Sequence, residues 1–387
     1  MRSIIPVCLG LALLIFCLTL GICGAMAEEW IELSPPGLDG HSAIYDPANQ
    51  RMVLFGGVTP WSEIVDRAYA LNLQSGSEVW TRLSPSGPAP SRRLQHEAIY
   101  DPLNHRMLVF AGYDGGGYLN DTWALILDAG SETWVQLYPS GTPPSRRYQT
   151  SAIYDSANHR VVVFGGFDGS SFLDDVWALE LAGPAWVRLY PSGSSPPARC
   201  AHSAIYDPVN QRMVLFGGCS QPFYDDVWVL DLSPGNEAWT QLYPSGTPPS
   251  PRALQTAVYD IPRHRMVVYS GYMYDGSLHY YNDVWSLDLA EGAEAWSELH
   301  PSGPVPVERR RGTAVYDALN ERMVVYGGNR YGGYIFGDTY VLQMGTIGME
   351  ENPIQSEDVA GFLLLSSHPN PLTGETVIEY LLPTPGL

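Results

Sequence analysis

Charge is scarce in this sequence. Only 16% of its 387 residues are charged, and basic ones are the scarcer, 21 against 41 acidic, for a formal net charge of −20. So acidic a chain argues against a polyanion, and no nucleic-acid partner is expected. No block of like charge accounts for the imbalance, and 45% hydrophobic residues exclude a disordered chain. Cysteine is rarer still, five in all, and Cys8, Cys17 and Cys23 fall within the first 27 residues. No segment sustains a 3.6-residue apolar period, which excludes a helical architecture. The G-x-S-x-G and H-E-x-x-H signatures are missing, as are a glycine-rich phosphate loop before a helix and any Ser-x-Asp-x-Gly box. No catalytic residue, cofactor or metal is therefore implied.

What is present begins with an export signal. Arg2 supplies a short positive region, Ile4 to Ile22 is almost wholly apolar, and Ala25-Met26-Ala27 fits a small-x-small cleavage pattern. Residues 1–27 are read as a signal peptide, with retention as an uncleaved anchor the alternative. The mature chain, at −21, is expected to be secreted or held at the cell surface, with no membrane span after cleavage. Its remaining cysteines, Cys200 and Cys219, then meet an oxidising compartment.

The rest of the chain repeats. YDPANQRMVLFGG at Tyr45 returns with variation at Tyr100, Tyr154, Tyr206, Tyr259 and Tyr316. A second motif runs NDTWALIL at Asn120, DDVWALEL at Asp174, DDVWVLDL at Asp225 and NDVWSLDL at Asn282. A third opens on tryptophan, and Trp30, Trp80, Trp134, Trp186, Trp239 and Trp296 are spaced 50, 54, 52, 53 and 57 residues apart. Apolar runs of four to seven residues with turn residues between them read as short strands. Each unit gives four antiparallel strands, a to d, and Asp-Pro-x-Asn makes the a–b turn. A four-stranded sheet repeated every fifty residues or so is a propeller blade.

These motifs resemble kelch repeats. The pairs Gly56/Gly57, Gly165/Gly166, Gly217/Gly218 and Gly327/Gly328 match that family's double glycine, and the strand-d tryptophans match its spaced Trp. Ala111-Gly112 and Ser270-Gly271 depart mildly. The resemblance covers roughly Trp30 to Met344 and implies an all-β, six-bladed kelch-type β-propeller over 28–345. A lone strand d at Trp30 and a strand c at Tyr340 with no Trp strand after it predict that the N-terminal strand completes blade 6. Residues 346–361 read as a linker. Residues 362–387, with HPNP and a following T-x-I-E-Y-x-L-P, look like the truncated start of an immunoglobulin-like C-terminal sorting domain of secreted bacterial proteins.

Candidate site residues fall into five groups. Arg93, Arg147, Arg199, Arg252 and Arg309 open strand a, and Asp121, Asp175, Asp226, Asp283 and Asp338 open strand c of the same blades. They could ring an axial anion site or form structural ion pairs. Blade 1 has Leu38 and Arg67 at these positions, lacking both partners together, which favours pairing. The a–b turn carries Asp46/Arg51 and five equivalents, read as an exposed turn clamp of ~0.2–1 kcal/mol each. Cys200 and Cys219 face each other if blade 4 keeps simple register, and a disulfide is expected there, unless a bulge breaks it. His41, His96 and His202 share one strand-a position on different sides of the ring, which reads as core or channel-lining histidine rather than a metal site.

The b–c loops do not repeat, and aromatics gather there. The candidate ligand-binding residues are Trp61, Tyr113, Tyr118, Tyr224, Tyr272, Tyr274, His279, Tyr280, Tyr281, Arg330, Tyr331 and Tyr334. Phe167 and Phe172 are expected to pack on one another. The expected function is a non-catalytic, monomeric binding propeller for a protein or carbohydrate ligand. The alternatives are a kelch-type enzyme acting on a small sugar such as sialic acid, which some six-bladed relatives do, or a structural envelope protein. Copper oxidases of this fold use a Tyr–Cys crosslink and paired histidines, for which neither mature cysteine has a counterpart.

Overall fold

A computed structural model describes residues 29–33, 37–344, 363–369 and 376–381. The expected signal peptide, residues 1–27, and the expected linker, residues 346–361, lie outside the described residues. The chain divides into two compact units, Met1–Thr346 and Ile347–Leu387.

The first unit is a six-bladed propeller of four-stranded antiparallel sheets. In blade 1 the strands are a Ser42–Asp46, b Arg51–Phe55, c Ala68–Asn72 and d Trp80–Arg82. Blade 4, with Ser203–Asp207, Arg212–Phe216, Val227–Asp231 and Ala238–Leu242, shows the full form. The strands a contact one another in a closed circle, blade 6 against blade 1. Blade 6 takes Thr313–Asp317, Arg322–Tyr326 and Thr339–Gln343 from the C-terminal side, and Glu29–Leu33 supplies its outer strand, Glu29 opposite Gln343. In the second unit, Leu363–Pro369 pairs with Thr376–Leu381 as an antiparallel hairpin. Nothing in that hairpin identifies a sandwich domain.

The repeat length is set by packing between blades. The last residue of strand b stacks on the strand-d tryptophan of the following blade: Phe55 on Trp134, Phe110 on Trp186, Phe164 on Trp239, Phe216 on Trp296. The Pro-Ser-Gly after strand d of blades 1 to 4 stitches the outer edge, as where Ser86 N–H donates to Glu132 O at 2.9 Å and Trp134 N–H donates back to Ser86 O. Strand b is buried on both faces because a neighbouring sheet covers each side.

Two stitches hold the inner end. The second glycine of each blade donates its N–H to the carbonyl of the residue opening the next blade: Gly57 to Arg93, Gly112 to Arg147, Gly166 to Arg199, Gly218 to Arg252, Gly271 to Arg309 and Gly328 to Leu38. Beside them Gly40, Gln95, Gln149, Ala201, Leu254 and Arg311 form a closed ring of backbone hydrogen bonds, each N–H donating to the carbonyl of the preceding blade's member. All six hold positive φ, between 52° and 63°. An axial cavity of about 210 Å³ lies within the strands a below this ring.

Candidate ligand-binding face

The five strand-a arginines are fully buried. Each forks onto the carboxylate opening strand c of its own blade: Arg93–Asp121 at 2.8 Å, Arg147–Asp175, Arg199–Asp226 and Arg252–Asp283 at 2.6 Å, Arg309–Asp338 at 2.5 Å. Most of the remaining donors are spent within the blade. Arg147 Nε reaches Ser145 O and Nη1 reaches Gly165 O. Burial alone would raise the Asp121 and Asp175 carboxyls, but hydrogen bonds and charge from their arginines hold both below the ordinary range. All five N–H groups are used in Arg93 and Arg147, and four of the five in Arg199, Arg252 and Arg309, so each arginine is closed on its own blade's carboxylate rather than presented to an axial anion. In blade 1, Leu38 is buried and Arg67 pairs with exposed Glu63 at 3.2 Å.

The guanidiniums are roofed by rings. Tyr224 lies over Arg199 at 4.0 Å, Tyr281 over Arg252 at 4.2 Å and Phe336 over Arg309 at 4.3 Å. Tyr224 and Tyr281 thus stand on structural arginines, two residues before the strand-c aspartate, rather than in an open loop. Leu119, Leu173 and Phe336 fill the same column, a signal the sequence did contain.

The turn clamp differs from its expected form. Asp46 and its equivalents are buried, so the pairs are not surface pairs. Arg51 binds Asp46 at 2.9 Å and continues to Glu132 of the next blade at 2.6 Å; Arg160–Glu237, Arg212–Glu294 and Arg322–Glu78 repeat the step. Burial would raise the Asp46 carboxyl, yet hydrogen bonds from Asn49, His105 and Arg51 hold it low.

The expected disulfide is corrected: Cys200 and Cys219 are free thiols. They do face each other, but as a hydrogen-bonded pair, each N–H donating to the other's carbonyl at 3.0 Å. The expectation relied on the other, non-hydrogen-bonded pair type. The hydrogen bond between the thiols raises the Cys200 pKa.

The histidines are blade connectors. His96 Nε2 meets Ser42 Oγ of the preceding blade at 2.6 Å, His202 meets Ser151 at 2.7 Å, and His41 meets Thr313 at 2.9 Å. Gln255 does the same to Ser203 at 3.2 Å. Burial drives His41 and His202 down to about 3, so both stay neutral.

On the loop face the aromatics divide by blade. Tyr113, Tyr118, Tyr148, Phe167 and Phe172 pack ring on ring, with centroids 5.1–6.4 Å apart. Trp61 stands alone, 85% exposed. Blades 5 and 6 instead raise two hairpins, Tyr272–Tyr274 with Leu278–Tyr280, and Asn329–Arg330 with Tyr334–Ile335. Between them lies a recess of about 890 Å³ walled by Tyr274, Tyr280, Arg330, Tyr331, Tyr334 and Phe336. A second, of about 870 Å³, lies across the first hairpin against Phe172, Cys219, Phe223 and Tyr272. Arg310 stacks under Tyr272 at 4.4 Å and Tyr280 at 5.5 Å. Arg330 pairs with Glu308 at 2.7 Å, and His279 with Asp275 at 3.0 Å. Tyr280 Oη is buried without a hydrogen-bond partner among the described residues.

The family model described as the KLHDC2/KLHL20/DRC7 Kelch-repeats domain matches residues 25–189, 62–260 and 233–361, overlapping windows of the kind a repeat produces. The chain is similar to Adagio-like protein 3 of Oryza sativa subsp. japonica, 31% identical over 269 residues, which are 66% of this chain and 41% of that protein. It is also similar to Adagio protein 3 of Arabidopsis thaliana, 27% identical over 305 residues, 76% of this chain and 48% of that one. The match thus spans less than half the length of these curated relatives. Among solved structures, that of YjhT superposes with a TM-score of 0.60 at 17% identity, over 79% of this chain and 95% of that one, a likeness of fold. With its double glycines, spaced tryptophans and closed ring of four-stranded blades, the chain belongs to the kelch-repeat family of β-propellers.

Proposed function

We propose that this protein is a secreted or surface-displayed, non-catalytic binding propeller that recognises a protein or glycan through the loop face of blades 5 and 6. One observation carries the reading. Tyr274, Tyr331 and Tyr334 are 57%, 74% and 66% exposed around a recess with an unpartnered phenol at its wall. Exposed aromatics offer large contact area with few rotors to freeze, which suits recognition. The ionisable groups on the two hairpins are closed into pairs, Arg330 with Glu308 and His279 with Asp275, which suits a binding role over acid–base chemistry. Export rests on the reading of residues 1–27, and surface tethering on residues 362–387, where the hairpin is compatible with the opening of a larger module.

The full chain, printed against a glycan array and used as bait on an envelope extract of the producing cells, tests the reading. Tyr274→Ala, Tyr331→Ala and Tyr334→Ala together are expected to weaken capture about tenfold or more with an unchanged Tm. Unchanged capture by the triple variant overturns the site. Tyr281 is left intact in this test because it roofs Arg252.

A further inference from the structure

The axial cavity carries one ionisable side chain that has no hydrogen bond or ion pair among the described residues. The first residue of strand a lines it in every blade: Ser42, Ser151, Ser203, Thr256 and Thr313 bring hydroxyls, and Glu97 alone a carboxyl. Four of the five hydroxyls are taken by the following blade, through His96, His202, Gln255 and His41. Blade 3 brings Thr150 to that position instead, and its hydroxyl donates to Phe164 O at 2.8 Å. No hydrogen bond or ion pair among the described residues reaches the Glu97 carboxyl, and burial is the only influence on it. Its residual exposure is to the cavity itself.

The other ionisable groups on the wall are occupied. His41, His96 and His202 are bound through Nε2 and held neutral by burial. Arg311 turns toward Asp39, 3.5 Å away. The cavity opens to solvent, but an unpaired carboxylate drawn back into it is disfavoured relative to one that keeps its proton or takes a counter-charge. The wall offers oxygen donors with one negative charge. Hard cations prefer oxygen, and divalent ones recruit several carboxylates or a full octahedral shell. A single carboxylate balances a single positive charge.

We propose that the axial cavity binds one small monovalent cation, an alkali-metal ion or ammonium, with the Glu97 carboxylate as its counter-charge. Binding exchanges the Glu97 proton, released to solvent, for the cation. Burial pushes the Glu97 carboxyl up to about 8, so cation affinity rises with pH until the proton is gone.

The full chain is dialysed into N-methylglucamine chloride, and NaCl, KCl or NH4Cl is substituted at constant ionic strength, at pH 6.5 and 8.5. At least one small cation is expected to raise the wild-type Tm by about 2–4 °C at pH 8.5, and by less at pH 6.5. Comparison of the three salts identifies the ion. Glu97→Gln is expected to lose the response and to melt no lower than wild type in N-methylglucamine. Equal responses in both chains, or none in either, overturn the proposal. Should Glu97→Gln fail to fold, wild-type crystals grown in rubidium or thallium salt decide it: an anomalous peak on the axis beside Glu97 supports the site, and its absence sinks it.

Discussion

All 21 basic side chains of this protein are arginine, and lysine is absent altogether. The buried arginines show what that choice provides. Arg147 donates to Ser145 O and Oγ, Gly165 O and both oxygens of Asp175, a planar fork that an ammonium could not reproduce. Arg147→Ala leaves Asp175 charged and unpaired, and is expected to cost roughly 3–5 kcal/mol in urea unfolding while ligand capture by the loop face persists. Unchanged stability with lost capture would return the arginines to a ligand role. The histidines set the response to acid. Unfolded histidine takes its proton near 6.5, whereas His41 and His202 refuse it until about 3. Between those values the unfolded chain binds more protons, so the histidines' contribution to stability falls as pH drops from 6.5 toward 3, while Glu97, which keeps its proton up to about 8, acts in the opposite direction as pH rises from the ordinary carboxylate range to 8. Each histidine contributes a slope of up to about 1.4 kcal/mol per pH unit. Asp46, Asp121 and Asp175, held low in the fold, add their own loss only as pH falls below the ordinary carboxylate range. His202→Gln, the residue type blade 5 uses, should remove one histidine's share of the slope in urea midpoints measured against pH.

At the scale of the element, the double glycine is a two-part device. A Cβ on the first glycine would meet the carbonyl of the next blade's opening residue, Arg199 O at 2.7 Å from Gly165 for example, and then that blade's connector: His96 at 2.8 Å from Gly56, His202 at 3.2 Å from Gly165, Gln255 at 2.9 Å from Gly217, His41 at 2.9 Å from Gly327. The two blades that depart, with Ala111 and Ser270, are those whose successors carry Thr150 and Gly312 there. Both substitutes keep φ near 65°, so the conformation is retained and only the side chain changes. Gly165→Ala is expected to destabilise by about 1–3 kcal/mol, and His202→Thr in the same chain to restore part of that. Strict additivity in the four-chain cycle would disprove the coupling. Within a blade this kind of reasoning was open to the sequence. The Arg–Asp relation shows in blade 1, which lacks both, and the Cys200–Cys219 register follows from counting outward from the turn. Between blades it was not, because the repeat aligns columns without saying which column meets which across the interface. Nor does register specify pair type, so the sequence could place Cys200 opposite Cys219 without saying which kind of pair they form.

For the whole molecule, the fold was legible because one hairpin is written six times, while the binding face was not, because the b–c loops share no pattern. Tyr224 and Tyr281 looked like Tyr274 in the sequence and differ from it only in what lies beneath them. The closing strand is the most exposed weakness of the ring. Deleting residues 29–33 leaves Thr339–Gln343 as an open edge, the situation in which sheets recruit other chains. The truncated protein is expected to unfold with lower cooperativity and to self-associate, readable by light scattering and circular dichroism. A monomer with the parent's Tm would show that closure contributes little. Closure also sets a clock. Glu29 waits for Gln343, and Gly40 for Arg311, so the strand made first is the last to find its neighbour. Contacts between such distant residues slow folding, although the entropy of closing the loop grows only slowly with its length. A nascent chain therefore carries five blades with both flanks bare until its last repeat emerges, and the rate of that final joining, more than the strength of any blade, governs how long it stays vulnerable.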